Sequence, residues 1–223
     1  MAKPASGGAG GSVGRQRAVG VSPETYREFT SEEDMEDYIQ KTWDEQMEGA
    51  SDLSRDAHDS YKTFSKINGM LRRDLDNEPF IWNQPLRKVR TQDPKTVGDV
   101  AAAMDATMRP SQENLTLWRG ISDMPSIASG LRNGTLVGTT IDDKAFISTS
   151  TNRRIAEHFS KGESQDIVIK ILAKKGTRMA AANQKYQLVD DQSEFILARN
   201  SRIRITKVVS SNSGKLELEA EVV

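Results

Sequence analysis

Three short motifs in the second half of the chain carry the side chains best suited to chemistry. Arg119 follows the run Leu-Thr-Leu-Trp, and the hydroxyls of residues 148–150 (Ser-Thr-Ser) follow Ala-Phe-Ile. Gln192 and Glu194 lead into Phe-Ile-Leu, three consecutive apolar residues that predict a strand covered on both faces. On an extended chain these two side chains share one face. A carboxylate and a carboxamide in that place need polar partners or a ligand, which the arginine and the hydroxyls could supply.

Each motif alone has an ordinary structural explanation. An arginine before a glycine is most often a surface or ion-pairing residue, and Ser-Thr-Ser at a strand end commonly bonds the nearby backbone. A Gln-x-Glu pair at the start of a strand is usually an exposed edge. The shared position of the three motifs, each at an end of a short apolar strand, is what favours a common site.

Composition excludes several other kinds of site. The 223 residues contain no cysteine, which excludes disulfides, thiol nucleophiles and thiolate metal sites. His58 and His158 lie far apart in the chain and beside no candidate nucleophile, so neither a histidine metal site nor a serine–histidine–aspartate triad is expected. Charged residues make up 28%, the net charge is −1, and no apolar run approaches the roughly 20 residues of a membrane-spanning helix. We therefore expect no metal and no membrane contact.

The chain is predicted to form one α+β domain behind a short leader. Residues 1–22 are rich in Gly, Ala and Ser and lack the apolar content of a core, which is typical of a flexible segment. Residues 23–223 are interpreted as the domain, with a helical part at 23–110 and a β-rich core at 111–223. Helices followed by strands favour an antiparallel or mixed sheet over βαβ winding.

Capping and periodicity locate the main elements. Ser31 and the acidic residues after it predict the start of a helix whose apolar stripe ends before Gly49. Another short helix is predicted at 152–159, and loops are predicted at 120–134 and 177–191. The predicted strands are 115–119, 135–139, 145–149, 167–172, 194–197, 202–209 and 216–222.

The motifs together resemble the Arg–Ser–Glu class of mono-ADP-ribosyltransferases, which includes Rho-modifying exoenzymes, actin-modifying binary toxins and related phage enzymes. The matching pieces are Trp-Arg-Gly at 118–120, Phe-Ile-Ser-Thr-Ser at 146–150 and Gln-Ser-Glu-Phe-Ile-Leu at 192–197. The segment 61–72 is similar to the helix that precedes the core in that family. The resemblance covers roughly residues 30–210. It implies an NAD-binding fold in which N-terminal helices pack on a split pair of small β-sheets.

The resemblance also implies a role for each motif in cleaving the bond between nicotinamide and ribose. Arg119 would hold the pyrophosphate of NAD, since a guanidinium presents a planar fork of donors that matches phosphate oxygens. Glu194 would bond the ribose hydroxyls and stabilise the oxocarbenium-like charge as nicotinamide leaves. The departing pyridinium needs no acid, so one carboxylate can suffice. Ser148 would hydrogen-bond Glu194 and fix its orientation.

Further contacts to NAD are implied by position in the family pattern. They come from the residues beside the motifs, from the preceding helix and from the segment after the hydroxyls. These residues are Gly120, Thr149, Ser150, Arg154, Phe159, Tyr61 and Asn68.

Gln192 would face the incoming nucleophile. Family members with glutamate at this place tend to modify arginine, whereas a neutral carboxamide resembles the enzymes that modify asparagine side chains or nucleobase amines. Asp190 and Asp191 lie directly upstream and could supply negative charge instead. Tyr186 stands where the family often has an exposed aromatic that recognises the acceptor, although a half-buried loop tyrosine is an equal alternative.

The sequence thus predicts a metal-free, NAD-dependent mono-ADP-ribosyltransferase that works as a monomer on a macromolecular acceptor, either a host protein or a nucleic acid. Because the N-terminus lacks an apolar signal core, we expect the protein to act in the cytoplasm of its host or target cell. Two alternatives stay open. One is an NAD glycohydrolase with water as the nucleophile, and the other is a non-catalytic phage or effector module that retains the fold for binding.

Overall fold

The computed structural model describes residues 24–63, 65–77, 96–122, 124–161, 166–182, 193–212 and 214–223. The described helices are α1 (Glu32–Met47), α2 (Asp52–Thr63), α3 (Ser65–Leu71), α4 (Val97–Asp105), α5 (Pro125–Arg132) and α6 (Arg153–Phe159). The described strands are β1 (Arg109–Pro110), β2 (Leu115–Ser122), β3 (Thr140–Asp142), β4 (Ile147–Ser150), β5 (Asp166–Ala173), β6 (Arg178–Ala181), β7 (Glu194–Leu197), β8 (Arg202–Asn212) and β9 (Lys215–Val222). Helices precede most of the strands, and the predicted α+β class is confirmed.

Helix α1 begins directly after Ser31, the capping residue that predicted its start. The Ser31 hydroxyl accepts a hydrogen bond from the Asp34 N–H at 3.2 Å, which satisfies one of the free N–H groups at the helix start. Met35, Ile39 and Met47 form the buried stripe, and Gly49 follows the helix with a φ of 71°. This stripe fixes α1 against the sheet, where β6 is its main neighbour.

The strands form one hydrogen-bonded sheet that is nearly divided in two. Their order is β1-β6-β7-β4-β2-β5-β9-β8-β3. Among the described residues, β4 and β2 are joined at one register position, where Trp118 lies opposite Ser150. We call the strands on either side of this junction the Glu194 half (β1, β6, β7 and β4) and the Arg119 half (β2, β5, β9, β8 and β3). The predicted split core therefore corresponds to two halves that meet where the chemical motifs lie.

Strand β7 is covered on both faces, as its run of apolar residues predicted. Phe195 and Leu197 belong to the apolar cluster that includes Met35 and Ile39 of α1. Ile196 belongs to a second cluster, with Phe146 and the buried face of α4. Each such side chain contributes about 1.5–3 kcal/mol when fully buried, so packing from both sides fixes the strand that begins with Glu194.

Three local predictions were wrong. The predicted loop 120–134 contains α5, whose N-cap residue Met124 makes no side-chain capping bond and so leaves little signal. The strand predicted at 135–139 is replaced by β3, a few residues later. The predicted loop 177–191 contains β6, which has no β-branched residue and is a strand because its backbone pairs with β1 and β7.

The leader at 1–22 lies outside the described residues, and the division of the domain at residues 110 and 111 stays a prediction. None of the described helices has the length and apolar character that crossing a membrane requires.

Candidate active site

The three predicted motifs meet at one cleft between α6 and the junction of the two half-sheets. The cleft has a volume of about 430 Å³. Its walls are formed by β2, β4, α6 and the first residue of β7. The lining residues are Trp118, Arg119, Gly120, Ile121, Ser122, Ser148, Thr149, Ser150, Ile155, Ala156, Phe159 and Glu194.

The pairing of β4 with β7 brings the hydroxyls to the carboxylate. Ser150 lies directly opposite Glu194, and Ser148 lies opposite Ile196, two residues further along. Opposed side chains of an antiparallel pair share a face, with Cβ atoms about 4.5–5.5 Å apart, and diagonal neighbours remain within about 8 Å. Ser148, Ser150 and Glu194 therefore lie on one face. The Glu194 side chain is largely buried, and the residue is 9% exposed.

Thr149 faces the other way from its two neighbouring serines. Its hydroxyl donates to the Phe195 carbonyl at 2.8 Å, and the residue is 3% exposed. This bond ties β4 to β7 and so stabilises the register that sets Ser150 against Glu194. Thr149 contributes to the predicted site through this contact between the strands.

Arg119 joins the two halves of the sheet at the cleft. Its Nη1 donates to the Ser148 carbonyl at 2.6 Å, so a guanidinium from β2 is held against the backbone of β4. The neighbouring Trp118 supplies the register position that joins these strands. The arrangement places a fixed positive charge beside the hydroxyl motif, which is the geometry that anion binding in the cleft requires.

Gly120 is needed because α6 passes directly over it. A Cβ at this position would lie 1.9 Å from the Ala156 carbonyl oxygen and 2.6 Å from the Ser160 nitrogen. Both are backbone atoms, so no side-chain rotation could relieve the clash. The glycine of the Trp-Arg-Gly motif thus permits a helix and a strand to approach and form one wall of the cleft.

Replacing Gly120 is expected to displace α6. We predict that Gly120→Ala lowers the melting temperature by at least about 2 °C, since overpacking of this kind costs about 1–3 kcal/mol. It should also weaken NAD binding measured by calorimetry, because α6 carries part of the cleft. Gly69→Ala is the matched control: a Cβ there meets nothing within 4 Å, and alanine favours a helix, so an unchanged or slightly raised melting temperature is expected. A Gly120→Ala protein as stable as the wild type would contradict the packing argument.

Glu194 follows a residue in an unusual backbone conformation. Ser193 has a φ of 42°, in the left-handed region that costs a residue with a side chain about 1–2 kcal/mol. Its carbonyl accepts hydrogen bonds from the Thr151 N–H at 3.0 Å and the Thr151 hydroxyl at 3.3 Å, which hold the turn. The chain is therefore not extended at Ser193. The expectation that Gln192 and Glu194 share a strand face also involves Gln192, which lies outside the described residues, so it stays a prediction.

Helix α6 presents Phe159 and Arg154 to different depressions. Asn152 caps the helix by accepting from the Arg154 N–H at 2.9 Å. Phe159 lines the cleft and is 49% exposed, an arrangement that suits stacking on a ring. Arg154 lines a neighbouring depression of about 640 Å³ instead. The structure thus brings Phe159 to the other motifs but not Arg154.

Asn68 supports the hydroxyl strand from α3. Its Oδ1 accepts from the Phe146 N–H at 3.2 Å, just before β4 begins. Asn68 is not among the residues that line the described cleft, so its predicted contact with NAD stays a prediction.

The sequence analysis missed an ion pair beside Asn68. Arg72 donates two hydrogen bonds to the Asp143 carboxylate, at 2.9 and 2.7 Å, and joins α3 to the turn before β4. Burial alone would raise the pKa of Asp143, but hydrogen bonds from Arg72 and Ala145 and the charges of Arg72 and Arg119 hold it below the ordinary value. Asp143 is therefore an anion at neutral pH, within the electrostatic reach of Arg119. In the sequence Asp143 is only the second of two aspartates in a predicted turn, and nothing there indicates that it contacts Arg72.

Several predicted site residues lie beyond the described part of the chain. Gln192, with Asp190, Asp191 and Tyr186, lies outside the described residues. Tyr61 belongs to α2, but its side chain is outside the described part of the structure. Within the described ranges, no group of three or more His, Asp or Glu side chains is arranged to hold a metal ion.

Comparison with known proteins agrees with the geometry. A family model described as ADP-ribosyltransferase exoenzyme matches residues 35–223. The fold is similar to that of an ADP-ribosyltransferase from Clostridium botulinum, solved in a triclinic form, with a TM-score of 0.66 and 19% identity over 89% of this chain and 99% of that one. It is also similar to the Clostridium limosum C3 exoenzyme, with a TM-score of 0.67 and 16% identity over 90% of this chain and 98% of that one. A protein from S. aureus solved with NAD gives a TM-score of 0.61 and 16% identity over 89% and 98% of the two chains. No match was found among curated protein sequences.

The family model spans most of the chain, including all three motifs. It confirms the predicted activity, NAD-dependent mono-ADP-ribosyl transfer, at the level of the family, with NAD as the substrate. The chain belongs to the ADP-ribosyltransferase exoenzyme family.

Proposed function

We propose that the cleft between α6 and the sheet junction cleaves NAD and passes its ADP-ribose to a protein of the host or target cell. The observation that carries the proposal is the convergence of three elements in one cleft. Glu194 lies opposite Ser150, Ser148 is on the same face, and Arg119 is bonded to the Ser148 carbonyl. A cation held in the same cleft as a largely buried carboxylate provides one partner for the central pyrophosphate of NAD and another for the cationic sugar that develops during its cleavage.

Arg119 is the proposed anchor for the pyrophosphate. One guanidinium nitrogen is bonded to the β4 backbone, which fixes the plane of the group. A guanidinium has five N–H donors, so the same group can bond the backbone and phosphate oxygens together. Holding the pyrophosphate at the sheet junction would direct the nicotinamide ribose toward Glu194.

Glu194 is the proposed stabiliser of the transition state. As the bond between C1′ and the nicotinamide nitrogen breaks, its electron pair leaves with nicotinamide and positive charge develops on the ribose. Glu194 is largely buried, so water screens its attraction to the developing charge less than it would at an exposed carboxylate, and the stabilisation is stronger. Ser148 and Ser150, on the same face, are the proposed orienting groups. The acceptor nucleophile then forms the new bond at C1′ and loses its proton.

The acceptor is proposed from the chemistry of Gln192. A carboxamide is neutral and can both donate and accept hydrogen bonds, so it suits an asparagine-like side chain or a nucleobase amine better than a guanidinium. We favour a protein acceptor because the family is one of exoenzymes that modify proteins, and we propose that the enzyme acts as a monomer in the cytoplasm of the cell that contains this acceptor.

If Gln192 meets the acceptor and not NAD, its loss should separate transfer from hydrolysis. We predict that Gln192→Ala keeps most NAD cleavage, since Arg119, Ser148 and Glu194 remain, and loses modification of the acceptor. Both rates are measured in one assay, as nicotinamide released and ADP-ribose bound to protein. Gln192→Glu is the companion variant, for which arginine-rich acceptors should gain labelling. Parallel loss of both activities in Gln192→Ala would place Gln192 in the NAD site and remove the argument for the acceptor class.

The alternative function within the same chemistry is NAD hydrolysis, with water as the nucleophile. Mass spectrometry of cell proteins after incubation with the enzyme and NAD distinguishes the two. A mass gain of one ADP-ribose on a protein supports the proposal. Free ADP-ribose alone, at a rate equal to NAD consumption, would establish the glycohydrolase instead.

A further inference from the structure

Gln46 is a buried polar residue of α1 that the reaction described above does not use. The residue is 2% exposed and lies in the last turn of the helix. Its Nε2 donates to the Met179 carbonyl at 3.1 Å, and its Oε1 accepts from the Ala181 N–H at 2.9 Å. Both halves of one carboxamide are thus bonded to the backbone of a single strand.

These two bonds lie at the end of β6, where its pairing with β1 stops. The described pairs between β1 and β6 are Arg109 with Met179 and Pro110 with Arg178, so β1 ends short of Ala181. The Gln46 side chain takes the place of the next strand residue by offering one donor and one acceptor. A buried N–H or C=O without a partner costs about 1–3 kcal/mol, which explains a glutamine among apolar neighbours.

The strand that Gln46 holds is bonded on its other edge to Glu194. Ala181 lies opposite Phe195 in the pairing of β6 with β7. One residue later, the Ala182 N–H donates to the Glu194 carbonyl at 3.0 Å. The path from Gln46 to Glu194 therefore runs through the bond to Ala181, the last residue of β6, and then through the next residue, Ala182, whose N–H is bonded to the Glu194 carbonyl.

We propose that Gln46 is a positioning residue for Glu194, a role that rests on the proposed function of this cleft. By fixing the end of β6, the Gln46 carboxamide also fixes the position of the Ala182 N–H, which is hydrogen-bonded to the carbonyl of Glu194, the first residue of β7. Arg119 and Ser148 depend on β2 and β4 instead. Loss of the Gln46 bonds should therefore affect the step that needs Glu194 and leave the binding of NAD nearly unchanged.

The test measures NAD cleavage by the purified full chain with no acceptor, so that it does not depend on the acceptor's identity. Gln46→Met keeps the length of the side chain and removes both hydrogen bonds. We expect kcat to fall by about 10-fold or more, the loss commonly found when a supporting hydrogen bond is removed, with KM for NAD within about twofold of the wild type. Gln46→Asn keeps the carboxamide but shortens its reach by one methylene, and a smaller loss of kcat in the same direction is expected.

A matched control separates positioning from general loss of stability. Leu136→Ala removes a buried side chain that packs against Gly130 of α5 and should lower the melting temperature without affecting the polar contacts with β6. Its kcat should stay within about twofold of the wild type when measured well below the melting temperature. Hydrogen exchange of peptides covering 179–182 should rise in the Gln46 variants and not in the control.

The outcomes distinguish this role from the proposed function. If kcat in both Gln46 variants stays within about twofold of the wild type, as expected for Leu136→Ala, while the melting temperature falls, Gln46 only stabilises the fold and the inference is overturned. A rise in KM with unchanged kcat would also overturn it. If the wild-type chain fails to cleave NAD, the proposed function itself is wrong.

Discussion

Replacing Glu194 by glutamine should abolish NAD cleavage while NAD still binds. The amide has the size of the carboxylate but no charge, so it cannot stabilise the positive ribose as nicotinamide leaves. Removal of one electrostatic group of this kind commonly costs a factor of about 10²–10³ in kcat, or about 2.7–4 kcal/mol. The dissociation constant of NAD, measured by calorimetry, should change by less than about threefold because Arg119 remains in place.

A control variant shows whether the effect belongs to the cleft. Glu36→Gln makes the same chemical change at an exposed position of α1 and should leave kcat unchanged. The prediction concerns the rate of nicotinamide release in both proteins under saturating NAD. Activity of Glu194→Gln within about tenfold of the wild type would exclude Glu194 from the catalytic role.

Replacing Arg119 by lysine should weaken NAD binding strongly. Lysine keeps the positive charge but loses the planar fork, and it cannot bond the Ser148 carbonyl and a phosphate with the same fixed geometry. Hydrogen bonds to charged groups contribute about 1.5–3 kcal/mol, so we expect the dissociation constant of NAD to rise by about 10- to 100-fold.

The melting temperature of Arg119→Lys should be measured together with its dissociation constant for NAD, because Arg119 also joins the two halves of the sheet. Arg132→Lys, at an exposed position of α5, is the control and should change neither quantity. An unchanged dissociation constant in Arg119→Lys would show that the pyrophosphate is held elsewhere.

Local signals in the sequence predicted the elements that carry the chemistry. The Phe-Ile-Leu run predicted a doubly covered strand, and β7 has the predicted bounds because two apolar clusters pack on it. Ser31 predicted the start of α1, and the short helix predicted at 152–159 is α6. In each case a capping residue or an apolar pattern acts over a few neighbouring residues, so it can be seen in the chain itself.

Pairing between strands could not be predicted in the same way. That Ser150 opposes Glu194 depends on the register of β4 against β7, and the sequence contains no local mark of it. The same holds for Gly120, whose role comes from the approach of α6, and for Arg72, whose partner Asp143 is distant in sequence. Strand β6 was missed because its pairing partners, and not its own residues, make it a strand.

One measurement tests the central claim most directly. The purified chain is incubated with NAD labelled on the adenylate part and with an extract of candidate host cells, beside the Glu194→Gln variant, and the products are treated with protease or nuclease. The proposal predicts label in a macromolecule that protease releases and nuclease does not, and no label with Glu194→Gln. Label that nuclease releases would make the acceptor a nucleic acid. Equal labelling by the wild type and Glu194→Gln, or NAD left intact by the wild-type chain, would contradict the account.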